Sequence, residues 1–302
     1  MLLVICMGSN PRVSVIIATY NRASWLQEAV SSVLAQSFSD FEIIIADDGS
    51  TDNTPGIVAQ MSFAGRYLLI PHSGRPSMVR NRALDVARGD LIAFLDDDDL
   101  WPAGKLQKQV AAFDRSPNID LLYGDARALR DDSPVPSAPL LSARQKRADR
   151  LFEALLADCF IYPSTAMVRR HTLMTVGGFD ESLVTVEDYD LWLRLAYQGR
   201  AVFLPEPAVI LRRHDRGISA LRRRETAEAT VTVLSRVWNE MELTPRQRLM
   251  LRQSLARSHT HLGLYLRTFG EEDSARRHFW QALRYYPLRR RAWRELLVGR
   301  QT

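Results

Sequence analysis

Residues 88–99 read RGDLIAFLDDDD, and the last nine of them decide the fold. Leu91, Ile92, Ala93, Phe94 and Leu95 form the short continuous apolar run of a strand covered on both faces. Four carboxylates, Asp96, Asp97, Asp98 and Asp99, follow without a spacer. Adjacent carboxylates repel one another, and a helix beginning near Pro102 needs only one of them as a cap, so the cluster calls for a cation. Hard oxygen ligands at a strand end suit Mg2+ or Mn2+, which keep positions open for water and substrate phosphates. In open α/β sheets, ligands bind outside the carboxyl ends of the strands.

The same pattern recurs upstream. Apolar β-rich runs at 13–19, 41–47 and 67–70 alternate with amphipathic stretches, which predicts a largely parallel sheet covered by helices. Ser24 with Gln27 reads as a capping box, Thr54 before Pro55 as a cap with a first-turn proline, and 77–88 as a helix stopped by a left-handed Gly89. Asp47-Asp48 ends the second run and Thr19-Tyr20-Asn21-Arg22 ends the first, so both point to the crevice that receives the four aspartates. An acidic pair on a loop can equally cap the next helix, and the 19–22 stretch can be a plain turn.

Further on, 131–146 (DDSPVPSAPLLSARQK) reads as a loop, 164–168 as a strand, Gly177-Gly178 as a turn, 188–197 as a helix and 208–211 as an apolar run. A boundary is expected between 213 and 222, after which the pattern is helical. Leu262-Gly263, Ala275, Phe279, Ala282 and Pro287 fall where a 34-residue tetratricopeptide repeat puts its small and aromatic residues, with Trp293 one period after His259. One repeat cannot bury its own face, so a helical hairpin packed on the preceding domain is the simpler reading.

The 302 residues are 46% apolar and 25% charged, which describes a globular chain and excludes wholesale disorder. No apolar run approaches the roughly 20 residues of a membrane span. Cys6 and Cys159 make no disulfide framework and fit a reducing compartment, so a cytoplasmic protein is expected. The net charge of +5 divides unevenly: residues 211–302 carry 20 basic against 9 acidic groups, and residues 1–210 carry 20 against 26. The basic tail fits an anionic membrane surface or the acidic body beside it, whereas no nucleic-acid module is present.

Four stretches, VSVIIATYNR (13–22), EIIIADDGSTDNT (42–54), RNRALDVARGDLIAFLDDDD (80–99) and GGFDESLVTVEDYDLWLRL (177–195), resemble successive motifs of glycosyltransferase family 2. Their order and spacing are more specific than any one of them. The resemblance covers about 12–215 and implies an α/β protein of the GT-A fold, a Rossmann-like mixed sheet flanked by helices. The expected domains are then a catalytic 1–215 and an α-helical appendage, 222–302, which the resemblance does not reach.

It also implies roles. Ala18, Thr19 and Tyr20 line a nucleotide pocket with Arg22 beside them, Asp48 accepts a hydrogen bond from the base, and Arg80 lies near the nucleotide. Asp96 and Asp98 are the outer positions of a DxD motif, with Asp98 the metal ligand and Asp97 toward the ribose or metal-bound water. His214 is directed at the Mn2+ or Mg2+ ion or the diphosphate, and Asp188 is the catalytic base. Glu187 and Trp192 fall on the acceptor side. The implied partners are a nucleotide-diphosphate sugar, of the UDP type, and a saccharide or lipid-linked saccharide. Taken without the motifs, Glu187-Asp188 would only complement a helix N-terminus. Two other readings are a sugar nucleotidyltransferase, which should show a glycine- and basic-rich loop where this chain has Asn21-Arg22, and a binding protein acting through its tail.

Overall fold

The computed structural model describes residues 3–4, 10–130, 137–214 and 221–298. Among them, eight strands form one sheet in the order β1-β4-β3-β2-β5-β7-β6-β8. These are β1 (Leu3–Val4), β2 (Val13–Thr19), β3 (Phe41–Asp47), β4 (Gly65–Leu69), β5 (Leu91–Asp96), β6 (Leu121–Arg130), β7 (Met167–Arg169) and β8 (Ala201–Arg213). β4, β3, β2 and β5 run parallel, and β7 is antiparallel to both β5 and β6. The result is the mixed sheet expected of a GT-A fold.

The central strands are apolar on both faces. Ile16, Ile44, Ile92 and Phe94 enter one core, while Val15, Ile17, Ile43, Ile45, Ala93 and Leu95 enter the other. This is the period-2 consequence of burying a strand between two helical layers. The second core receives α1 (Ala23–Leu34) through Leu26, Val30 and Val33, and α4 (Lys105–Arg115) through Leu106, Val110 and Phe113, with α2 (Thr54–Gln60) adding Val58. The first core receives α3 (Pro76–Val86), α5 (Leu151–Ala157) and α7 (Glu187–Gln198), while the short α6 (Arg170–Thr175) follows β7.

Several local expectations are corrected. α1 starts at Ala23, ahead of Ser24, and has no side-chain cap; the Ala23 N–H is instead taken by Asp52 at 3.2 Å. Thr54 lies inside α2, and Asp52 Oδ1 accepts both its N–H at 2.9 Å and its hydroxyl. α3 ends at Val86, and Gly89 is no left-handed stop. Gly89 is required by a close approach, since a Cβ there would lie 2.4 Å from Ser14 N. At 164–168, Pro163–Thr165 makes a 3-10 turn and the strand is only Met167–Arg169. The run at 208–211 is the end of β8, whose partner β6 was not expected at all. Of the expected loop 131–146, residues 131–136 lie outside the described residues, and 137–140 fold back on β6 through Ser137 N to Ala128 O and Leu140 N to Ala126 O.

Beyond the sheet come α8 (Arg223–Glu240), α9 (Pro245–Thr268), α10 (Glu272–Tyr285) and α11 (Arg290–Val298). Val233, Leu234 and Val237 of α8 and Leu251 and Leu255 of α9 join the first core beside Leu155 and Leu156 of α5. The hairpin α9–α10 closes tightly: a Cβ on Gly263 would meet the Phe279 ring at 2.7 Å. Among the described residues no helix is long and apolar enough to cross a membrane.

Candidate active site

Strand register brings the site together. Ala18 pairs with Ala46 on one side and Asp96 on the other, and Thr19 pairs with Asp47, so β2, β3 and β5 end level with one another. Everything that follows those three strands therefore lies along one edge.

The acidic turn is held by a different partner at each carboxylate. Asp96 accepts from Arg80 Nη2 at 2.8 Å. Arg22 Nη1 spans Asp97 Oδ1 at 2.7 Å and Asp98 Oδ2 at 2.5 Å. Asp99 accepts from the Ser164 hydroxyl at 2.6 Å, and that hydroxyl accepts from Asp96 N at 3.0 Å. Leu100 then pairs with Ile210 of β8 in both directions, which fixes the exit of the turn. Burial pushes Asp97 up to about 7 despite Arg22, and pushes Asp99 well above the carboxylate range with help from Asp96 and Asp98. Asp97, expected toward a ribose, is thus buried against Arg22.

His214, at the end of β8, places Nε2 3.0 Å from Asp98 Oδ2. Its ring lies 4.5 Å from that of Trp25, and the Arg22 guanidinium sits 5.5 Å from the same indole. Trp25, in the first turn of α1, thus supports both groups that meet on Asp98. Among the described residues no set of three or more His, Cys, Asp or Glu side chains converges as a metal cage. Two ligands are enough for a hard octahedral ion that takes the rest from phosphate and water. Asp98 Oδ2 is at present bonded to both Arg22 Nη1 and His214 Nε2, so an ion held by Asp98 and His214 would replace the bond between them.

Arg80 is buried and joins the acidic turn to α7. Its Nη1 donates to Glu187 Oε1 at 2.5 Å while Nη2 holds Asp96. Glu187, expected on the acceptor side, is therefore turned inward. Trp192, expected beside it, is fully buried, its indole N–H on Ile161 O at 2.9 Å, and does not reach the crevice. α7 begins after Val186, a β-branched residue held at φ +57°, a strained conformation of the kind found at functional sites. Asp188 follows Glu187, and burial together with the Glu187 charge raises it to about 7 in spite of Arg80.

Asp48 closes the other end of the edge. One oxygen accepts from Ser73 N and Oγ, both at 2.8 Å, and the other from Gly74 N at 2.8 Å, while His72 Nδ1 lies 2.9 Å from the Asp48 backbone O and 3.0 Å from Oδ2. The His72 ring stacks on Tyr20, centroids 4.2 Å apart. The sequence reading missed His72, Ser73 and Ser164, none of which falls in a motif with a readable spacing.

The family model described as glycosyl transferase family 2 matches residues 14–177, more than half of the chain. The chain belongs to glycosyltransferase family 2. The glycosyltransferase is 34% identical over 184 residues to UDP-Glc:alpha-D-GlcNAc-diphosphoundecaprenol beta-1,3-glucosyltransferase WfgD of Escherichia coli, covering 61% of this chain and 69% of WfgD. Its fold matches S. aureus TarS 1–349 in complex with UDP-GlcNAc, with TM-score 0.70 and 21% identity over 91% of this chain and 81% of that one. It also matches the mannosyltransferase PcManGT of Pyrobaculum calidifontis in complex with GDP-Man and Mn2+, with TM-score 0.62 and 20% identity over 96% of this chain and 80% of that one. These overlays extend beyond the family match into the helical tail, and the chain spans half the length of the longer TarS structure.

Proposed function

We propose that this glycosyltransferase moves a sugar, with inversion, from a UDP-sugar to a hydroxyl of a saccharide or lipid-linked saccharide, in the assembly of cell-surface polysaccharide or glycolipid. The observation that carries the reading is the chain Asp96–Arg80–Glu187 with Asp188 next to it, which fixes a candidate base relative to the acidic turn. A carboxylate with proton affinity near neutral pH is matched to take a proton from an attacking hydroxyl. The acceptor oxygen attacks the anomeric carbon opposite the departing diphosphate, the C–O bond to phosphate breaks, and the hydroxyl proton passes to Asp188. One base and one in-line displacement give inversion.

Mn2+ or Mg2+ would be held by Asp98 and His214, where it would neutralise charge building on the diphosphate as a Lewis acid. Arg22, Asp97 and Trp25 keep Asp98 and His214 in place for that purpose. Tyr20 offers a ring face to the base above the level floor of Ala18 and Thr19. Asp48 fixes loop 72–74 as one wall of the pocket through Ser73 and Gly74, with the half-exposed His72 ring stacked on Tyr20 beside it.

The UDP choice is supported by WfgD, named for UDP-Glc, and by TarS with UDP-GlcNAc; the lipid-linked acceptor is supported by the diphosphoundecaprenol in the WfgD name. The Mn2+ of PcManGT supports a divalent ion. A panel of nucleotide sugars, assayed for nucleotide diphosphate release with and without chelator, tests the reading: no donor hydrolysed or transferred would overturn it. Asp48→Ala should weaken UDP itself by about 10- to 100-fold, the loss of a buried charged hydrogen-bond acceptor.

A further inference from the structure

The tail carries two runs of three arginines, Arg222-Arg223-Arg224 and Arg289-Arg290-Arg291, at opposite ends of its helices. Arg222 donates to Gly74 O at 3.1 Å, and Arg224 pairs with Glu228 and Glu271, so these two are engaged inside the molecule. The other cluster lies at the far end of the tail. Between residues 276 and 298 there are seven arginines and a single carboxylate, Glu295, which is shared between Arg294 and Arg267 of α9.

The same segment exposes large apolar side chains. Trp280 on α10 and Trp293 on α11 are 53% and 43% exposed, their rings edge to face with centroids 5.9 Å apart. Leu288 between the helices is 75% exposed, and Leu297, one turn after Trp293, is 61% exposed. α11 thus has two apolar sides: Ala292 and Leu296 pack on the hairpin, while Trp293 and Leu297 face outward. The indole N–H of Trp293 donates to Pro287 O at 2.8 Å, so its polar edge is satisfied within the protein. Arg284, one turn after Trp280, and Arg290, one turn before Trp293, are exposed beside the two rings.

We infer that this face of α10 and α11, centred on Trp280 and Trp293, is a docking surface for an anionic lipid bilayer. Tryptophan and leucine beside arginine is the composition that settles at a membrane interface, the rings at headgroup depth and the guanidinium groups on lipid phosphate. A second copy of this chain is disfavoured because it would bring like charge against like charge. The surface is independent of the donor chemistry, and its test needs no sugar nucleotide.

The experiment uses the full chain with phosphatidylcholine vesicles and with vesicles enriched in phosphatidylglycerol, read by co-sedimentation and tryptophan fluorescence. Binding to the anionic vesicles with a blue shift, lost at high salt, is expected. Arg284→Glu with Arg290→Glu should lower the partition coefficient at least about tenfold. Trp280→Ser with Trp293→Ser should remove both the blue shift and most of the binding, with UDP affinity unchanged as the measure of intact folding. Absence of anionic-vesicle binding at low salt overturns the inference, as does equal binding to neutral vesicles. So does a concentration-dependent dimer that the tryptophan pair abolishes. Should that pair fail to fold, quenching of wild-type fluorescence by brominated lipid decides, and no quenching counts against the surface.

Discussion

Arg80 and Glu187, 107 residues apart in the chain, meet in a buried hydrogen bond of 2.5 Å, while the other arm of the same guanidinium holds Asp96 at 2.8 Å. A planar fork with two fixed donor arms sets the distance between the elements it joins. Here those elements are the end of β5 and the start of α7, the two places that present carboxylates to the crevice.

Arg80→Gln should cost about 3 kcal/mol or more in urea unfolding, because Glu187 and Asp96 would be left without their counter-charge. Arg80→Lys keeps the charge but loses the fork, so it should fold and yet lose at least about tenfold in turnover. Wild-type turnover in Arg80→Lys would show that the bridge does not position the base.

Asp188→Asn should leave nucleotide affinity nearly intact and cut turnover by a factor on the order of 10² to 10⁴. A base must be deprotonated to act, so the wild-type rate should rise with pH through about 7, the value to which burial raises Asp188. That limb should vanish in the residual activity of the variant. Affinity for UDP falling in parallel with rate would place Asp188 in the donor pocket instead.

Asp97 has a pH signature of its own in stability. Its folded-state proton affinity is raised to about 7 by burial, against about 3.9 in an unfolded chain. Stability from the protonated form is then complete below about pH 4 and is lost as pH rises through about 7. Asp97→Asn, which cannot ionise, should gain roughly 1 kcal/mol or more on wild type between pH 5 and pH 8. A difference that stays constant over this range would mean that Asp97 is ionised throughout and held by Arg22.

Asp98→Ala should abolish metal-dependent binding of the donor, measured by calorimetry of UDP with and without Mn2+, and His214→Ala should weaken it. Full activity in the Asp98 variant, or in wild type after chelation, would exclude the pair as the ion's ligands.

Gly89→Ala tests the packing at the start of β5. The added Cβ would fall 2.4 Å from Ser14 N and 2.7 Å from Val13 C, both backbone atoms that cannot swing away. A loss of about 1–3 kcal/mol is expected from overpacking. Unchanged thermal unfolding would show that β2 and the 87–90 turn have more slack than the geometry allows.

The residues that carry chemistry were legible because they sit where local pattern is strongest. The apolar runs at 13–19, 41–47 and 91–95 became β2, β3 and β5, and the polar groups directly after them reached one edge, as parallel strands must deliver them. Cap positions were less legible: Ser24 and Thr54 were displaced by Asp52, whose carboxylate reaches both helix starts from one loop. β6 and the true extent of β8 were hidden, since each becomes a strand by pairing with the other across some 80 residues.

The sequence by itself determined the central strands, the family, and which carboxylates stand at the strand ends, because apolar runs and ordered motifs are properties of short segments. Only the tertiary structure decided which groups face one another. Trp25 stacks on His214, Ser164 holds Asp99, Arg80 ties Asp96 to Glu187, and Trp192 is drawn wholly into the core. These pairings join residues from 16 positions apart, as Arg80 and Asp96, to 189 apart, as Trp25 and His214. No local period encodes them; they follow from crossovers that fold separate strand ends and helix starts into one crevice, where burial and charge then select the partners.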